Sequence, residues 1–404
     1  MLKRSIALGA AALALALAGA APASGQDVKI GALFAVTGPI ANFVPPILES
    51  SKLALRQVNE QGGVLNGRKL ELVVADEQCN PQAAAAAAQK LINIDQVVAI
   101  VGALCSGATI GAANAAGIPA GVLMISPASA SPRITDLKDN DFVFRTAASD
   151  AFQGKVLAEF LLRRGIKTVA LTYMKNDYGV GLASAFRDAY VKAGGVIAGD
   201  LEHEEKRPSY RSELATLAKG KAEYLVMIAY ANDSGPVILK QSLEGGFFKK
   251  FVGSVAIRDR KTLEQIGLKN LEGMIISAWG AHQGPSLDAY NAMMKAVAPD
   301  MVGKPFAAQA YDATFLAALA IEAAGSTDRT KVRDGLRAIS PASGGTPVMP
   351  GEWAKAKKLI ADKQKIVYAG AAGTYRFDAA GDTVGVVDIY EIKGGEEVKL
   401  ETIK

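Results

Sequence analysis

The chain has 404 residues, of which 50% are hydrophobic, 6% aromatic and 21% charged. That composition excludes a disordered or low-complexity polymer and, by length, allows two or three domains with sizeable cores. Its 45 basic and 40 acidic residues leave a net charge of +5, too small and too scattered to argue for a nucleic-acid partner.

The amino terminus reads first as an export signal. Lys3 and Arg4 precede an apolar run from Ile6 to Ala20, and Ala21-Pro22-Ala23 then offers an A-x-A cleavage site, with a second possible cut after Gly25. Residues 1–25 are therefore expected to be removed on secretion. No cysteine follows the run, which speaks against a lipid anchor. Without Lys3 and Arg4, 43 basic residues face 40 acidic ones. Cys79 and Cys105 are the two cysteines of the chain. Both follow predicted strands on the same side of a sheet, so in an oxidising compartment a disulfide there would tie neighbouring strand ends and contribute roughly 2 to 4 kcal/mol. A free buried Cys105 is the alternative.

From Asp27 strand and helix patterns alternate with short connections. DVKIGALFAVTG is a strand closed by a Gly-Pro turn, 45–61 a helix ended by Gly62-Gly63, KLELVVAD a strand, and the alanines 83–88 the centre of a helix. Residues 97–132 add two more strands, 97–101 and 122–125, giving a doubly wound α/β lobe. After 142–145 the rhythm restarts with helix 152–164 and strand TVALTYM, then helix 182–192 and strands VIAGD, EYLVMIAY, KFVGSVAI and LEGMIISAW, with helical patterns between the first three. This is a second α/β lobe. Helices 287–298, 306–324 and 331–339 follow without strands, then a Gly/Pro-rich link, a basic helical stretch EWAKAKKLIADKQK that reads as a solvated face, and strands GTYRF and VGVVDIYEI.

The stretch 97–132 organises the rest. Each of its strands ends in small and hydroxyl residues, Cys105-Ser106-Gly107 with Thr109 after the first and 126–131, SPASAS, after the second. Strand C-termini are where open α/β sheets bind ligands, and uncovered backbone N–H groups with hydroxyls make a cradle for a carboxylate. Ser106 and Ser126 also read as plain caps of helices and turns. Catalytic patterns are missing. His203 sits in a charged run and His282 in a turn, neither with a carboxylate or thiol at diagnostic spacing, and there is no G-x-S-x-G elbow, P-loop or dinucleotide fingerprint. What remains is a set of aromatic and hydroxyl residues at strand C-termini, Phe43, Ser106, Tyr178 and Tyr230. In two lobes facing one cleft such residues suit hinge closure around a solute.

Together, VTGPIANF, VNEQGGVLNGRKLELVVADEQCNP, VGALCSG, VLMISPASASP, FRTAASDAFQG and NDYGVGLA make the mature chain resemble the periplasmic leucine/isoleucine/valine-binding proteins of ABC importers. The resemblance implies the type I periplasmic binding protein fold, two doubly wound α/β lobes joined by three crossovers. It places 26–147 with 278–345 in one lobe and 148–277 with 346–404 in the other. It implies that Cys79 and Cys105 pair, that Ser106 binds the ligand carboxylate, and that the Ala128 carbonyl takes the ligand ammonium. Phe43 stands where the family usually has a tyrosine, and Tyr178, Tyr230 and Tyr311 match aromatic positions around the ligand. Ala130 replaces a threonine that helps hold the carboxylate. Val255 replaces an acidic residue that takes the ammonium. The expected function is thus a periplasmic solute-binding protein, a monomer and not an enzyme, with no cofactor, metal or nucleic acid, that delivers a small carboxylate-bearing solute to a membrane ABC permease. A branched-chain or related amino acid is the first expectation. An aliphatic or aromatic carboxylic acid is the second, and a ligand sensor acting through a separate receptor is the rival.

Overall fold

The computed structural model describes residues 26–404, so the export signal expected over 1–25 lies outside the described residues. Five parallel strands form the first sheet: β1 (Val28–Phe34), β2 (Leu70–Asp76), β3 (Ala99–Gly102), β4 (Leu123–Ser126) and β5 (Val143–Arg145), in the order β2-β1-β3-β4-β5. β3 and β4 are buried at every position, as continuous apolar runs must be when helices cover both faces of a parallel sheet.

The second lobe repeats the winding with β6 (Thr168–Met174), β7 (Val196–His203), β8 (Tyr224–Ile228), β9 (Lys250–Ser254) and β10 (Ile275–Trp279), ordered β7-β6-β8-β9-β10. After a short pair, β11 (Thr346–Val348) and β12 (Ile366–Tyr368), the strands β13 (Val387–Lys393) and β14 (Glu396–Ile403) extend this sheet antiparallel beside β10. The chain crosses between the lobes after β5, after β10 and before β13, as the resemblance implied. In each lobe the strand order reverses beside the first strand, between β1 and β3 and between β6 and β8. Those switch points open crevices at the strand C-termini.

The expected lobe boundary moves in one place. Residues 346–377, assigned above to the second lobe, pack on the first. The three-residue strands β11 and β12 pair only with each other. Trp353 donates its indole N–H to Gly63 O at 3.1 Å, Lys357 reaches Gly62 O at 2.8 Å, and the Tyr368 and Tyr375 hydroxyls meet Asp312. The helix Trp353–Ala361 is accordingly not just a solvated face, because Trp353 and Ala356 are fully buried. GTYRF is not a strand either. Its Tyr375 and Phe377 are buried outside regular structure. The helix Ala307–Ala324 is buried on nearly every side, the expected state of a helix apolar all round.

Candidate functional site

Between the two switch points lies a cavity walled by Ile40, Phe43, Leu104, Cys105, Ser106, Ala128, Ala130, Tyr178, Tyr230, Val255, Ala256, Trp279 and Phe306. Each of the strands β1, β3, β4, β6, β8, β9 and β10 thus delivers wall residues from its C-terminal end.

The first-lobe wall is fixed from below. Gly102 ends β3 at φ +127°, and a Cβ there would lie 2.2 Å from Leu33 O, so only glycine lets the chain turn so closely over β1. The buried Glu77 carboxylate accepts N–H groups from Leu104 and Cys105 at 3.1 Å. Burial outweighs those bonds and pushes its carboxyl up to about 8. Cys79 and Cys105 are disulfide-bonded, with Cα atoms 5.2 Å apart. Cys105, extended at φ −90° and ψ 138°, is the N-cap, so Ser106 is the first helical residue of Ser106–Ala112 rather than its cap. Ser106 Oγ accepts the Ser131 N–H at 3.2 Å. Ser126 has the structural role: its hydroxyl donates to Ala103 O at 2.5 Å and accepts Ser129 N–H at 3.0 Å, locking the two cradle loops together.

The second lobe brings Tyr178 and Tyr230, stacked with centroids 5.6 Å apart and planes 11° apart. Tyr178 donates to Ser254 Oγ at 2.7 Å. Burial raises both phenols far above the ordinary range, so they stay neutral donors. Phe43 meets Phe306 edge-on at 6.0 Å. The lobes also touch at the rim: Arg133 pairs with Asp177 at 2.5 Å, Ser131 Oγ donates to Asp177 O at 2.8 Å, and Asn232 donates to Asn42 at 3.0 Å. The cavity is therefore closed, and its wall side chains are largely shut off from water.

Of the positions named from the sequence, Phe43, Ser106, Ala128, Ala130, Tyr178, Tyr230 and Val255 line this cavity. Tyr311 does not. It is buried inside the first lobe, donating to Gln57 Oε1 and accepting the Gly351 N–H at 3.0 Å, with its ring stacked on Phe315 at 5.8 Å. The aromatic wall group from that part of the chain is Phe306, where the helix begins. Sequence reading also passed over Ile40, Leu104, Ala256 and Trp279. Trp279 ends a strand that the sequence did predict, so the strand-end rule could have found it. No wall residue carries a charge. Asp233 accepts the Lys206 N–H at 2.8 Å outside the cavity, and Asp259 caps the helix Arg260–Ile266 through Thr262 N–H at 3.0 Å. Neither supplies the carboxylate missing at Val255.

Residues 27–370 match the sequence model of a family described as periplasmic binding protein. The chain belongs to the periplasmic binding protein family. A leucine-, isoleucine-, valine-, threonine- and alanine-binding protein of Pseudomonas aeruginosa is 32% identical over 336 residues, covering 80% of this chain and 86% of the relative. The Leu/Ile/Val-binding protein of Escherichia coli is 29% identical over 65% of this chain and 70% of its own. The fold of a leucine-binding protein LivK from Thermotoga maritima superposes with a TM-score of 0.78 at 24% identity, over 93% of this chain and 99% of that one. Periplasmic binding proteins of importers work in the periplasm and bind solutes rather than transform them. In this member no helix among the described residues is long and apolar enough to cross a membrane.

Proposed function

We propose that this periplasmic binding protein is the solute-binding component of an ABC importer. Residues 1–25 are cleaved on export, and the monomer closes its lobes on a small carboxylate-bearing solute and hands it to a membrane permease. The observation that carries this reading is the closed cavity at the strand C-termini of both lobes, with the Ser106 hydroxyl among apolar and aromatic walls. The solute carboxylate lies against Ser106, and its apolar body against Phe43, Tyr178, Tyr230, Trp279 and Phe306. The ligands named for the relatives make a branched-chain or related amino acid the first reading, with the Ala128 carbonyl toward the ammonium. The uncharged wall favours a second, an aliphatic or aromatic carboxylic acid without an ammonium, since a buried ammonium lacking a counter-charge is costly.

Mass spectrometry of the solute that copurifies with the native protein tests the proposal. A carboxylate about the size of leucine is expected. Recovery of a sugar, nucleotide or peptide in its place would contradict it.

A further inference from the structure

A buried carboxyl group stands directly beneath the cradle. Glu77 follows β2 and is fully buried. Its Oε1 accepts the Leu104 and Cys105 N–H groups, both at 3.1 Å, and its Oε2 lies 3.1 Å from the Leu104 N–H. Leu104 and Cys105 are themselves wall residues, and Ser106 comes next in the chain. Glu77 is held at its backbone too, where its N–H donates to Phe34 O at 2.9 Å. A carboxylate taken out of water is ordinarily paired with a cation, yet among the described residues no lysine, arginine or histidine acts on Glu77, and the charge that does is the Asp76 carboxylate.

A solute carboxylate against Ser106 therefore comes to lie across one short loop from a second carboxyl group that has no cation. Two carboxylates so placed in a dry site do not both stay ionised. The geometry lets Glu77 be the neutral one. Its Oε1 alone reaches both N–H donors, so a carboxyl with its proton on Oε2 still holds Leu104 and Cys105 in place. Ser106 in turn suits the charged one: its Oγ accepts the Ser131 N–H at 3.2 Å, and a hydroxyl that accepts keeps its own hydrogen to give to the solute.

We propose that Glu77 is a positioning residue of the cradle, holding Leu104 and Cys105 beneath the solute carboxylate, and that the solute binds with the Glu77 carboxyl in its neutral form. This rests on the carboxylate reading of the cavity and adds a proton requirement to it. The groups that face Glu77 are the Leu104 and Cys105 N–H groups from the loop after β3, the Asp76 carboxylate at the end of β2 and, from the second lobe, the Tyr230 phenol, on which its charge acts. Burial holds the Glu77 carboxyl up at about 8, against the two N–H groups and with a further push from Asp76. Below that value Glu77 is already neutral, and the solute brings the one negative charge. Above it a proton must be taken up with the solute, so affinity falls by up to about tenfold per pH unit.

The test is calorimetry on solute-stripped mature protein with leucine and its deaminated analogue, 4-methylpentanoate, between about pH 7 and about pH 9, where both carboxylates stay ionised. Wild type should lose about tenfold in affinity across that range for whichever of the two it binds, with proton uptake at the upper end seen in buffers of different ionisation enthalpy. Glu77→Gln keeps an oxygen for both N–H groups but cannot ionise, so its profile should be flat. Glu77→Ala removes the acceptor as well and should bind about tenfold more weakly than Glu77→Gln at every pH. A flat wild-type profile overturns the proposal. The same pH dependence in Glu77→Gln overturns it too, because another group then titrates, and equal affinity of the glutamine and alanine variants overturns the positioning role. Should Glu77→Gln fail to fold, Asp150→Asn decides, since Asp150 is the other buried acid whose charge acts on the wall phenol of Tyr230: a retained pH dependence supports Glu77, and a flat profile overturns it. Binding of neither ligand overturns the carboxylate reading of the cavity, and the proposal falls with it.

Discussion

Replacing Asp312 by alanine should loosen the protein beside its hinge. The carboxylate is fully buried in the helix Ala307–Ala324. Its Oδ1 accepts the Tyr368 hydroxyl at 2.8 Å and the Ala371 N–H at 2.7 Å, and its Oδ2 accepts the Ala372 N–H and the Tyr375 hydroxyl at 2.8 Å. The Ala372 carbonyl in turn accepts the His282 N–H at 2.9 Å, on the crossing that follows β10. Alanine leaves four donors without an acceptor. A phenol can rotate toward another partner, but the two backbone N–H groups cannot move without the chain. At about 1–3 kcal/mol for each buried orphan, those two alone cost about 2–6 kcal/mol. Loss of the buried carboxylate offsets part of this, because burial already pushes its carboxyl up to about 7. A net loss of about 3–4 kcal/mol is expected in urea unfolding followed by circular dichroism. Asp312→Asn keeps one acceptor oxygen and should lose about half as much. A loss under about 1 kcal/mol for the alanine variant, with residues 366–377 no more open to protease, would refute the reasoning.

Ser106→Ala should weaken leucine binding by about ten- to a hundredfold, the worth of a hydrogen bond to a charged carboxylate. It should also lower stability by about 1 kcal/mol, because the buried Ser131 N–H loses its acceptor; equal affinity in calorimetry would leave Ser106 a structural role alone. The pH dependence of stability follows from Glu77, Asp150 and Asp312, whose carboxyls burial raises to about 8, about 7 and about 7. A folded-state value above the unfolded one stabilises fully below the ordinary carboxylate range and is lost as pH rises through 7 to 8, so solute-free protein should unfold at higher urea near about pH 5.5 than near about pH 8.5. A flat or inverted profile would count against that sign.

The two lobes and their winding were legible because buried parallel strands are continuous apolar runs, which need no partner to be recognised. The wall positions were legible for a related reason: Phe43, Ser106, Tyr178 and Tyr230 follow strands whose C-termini must face the crevice. Tyr311 was misplaced because its role was carried over from the resemblance, and its helix, apolar on nearly all sides, offers no sequence period to test that role. Trp353 was missed because Lys355, Lys357 and Lys358 were read as a solvated face, although the other six residues of its helix are apolar. Asp150 follows the N-cap Ser149 and so reads as an ordinary acid in a first helical turn, yet it is fully buried. Phe306 reaches the wall through a left-handed backbone, φ 62°, which no local pattern announces for phenylalanine.

Small-angle X-ray scattering tests most directly the claim that two lobes close on one small solute. The solute recovered from the native protein is removed by unfolding and refolding, and profiles are recorded without it and at saturation. The account predicts a smaller radius of gyration on addition, as the rim contacts between Arg133 and Asp177 and between Asn42 and Asn232 form. Superimposable profiles with the solute demonstrably bound would contradict it.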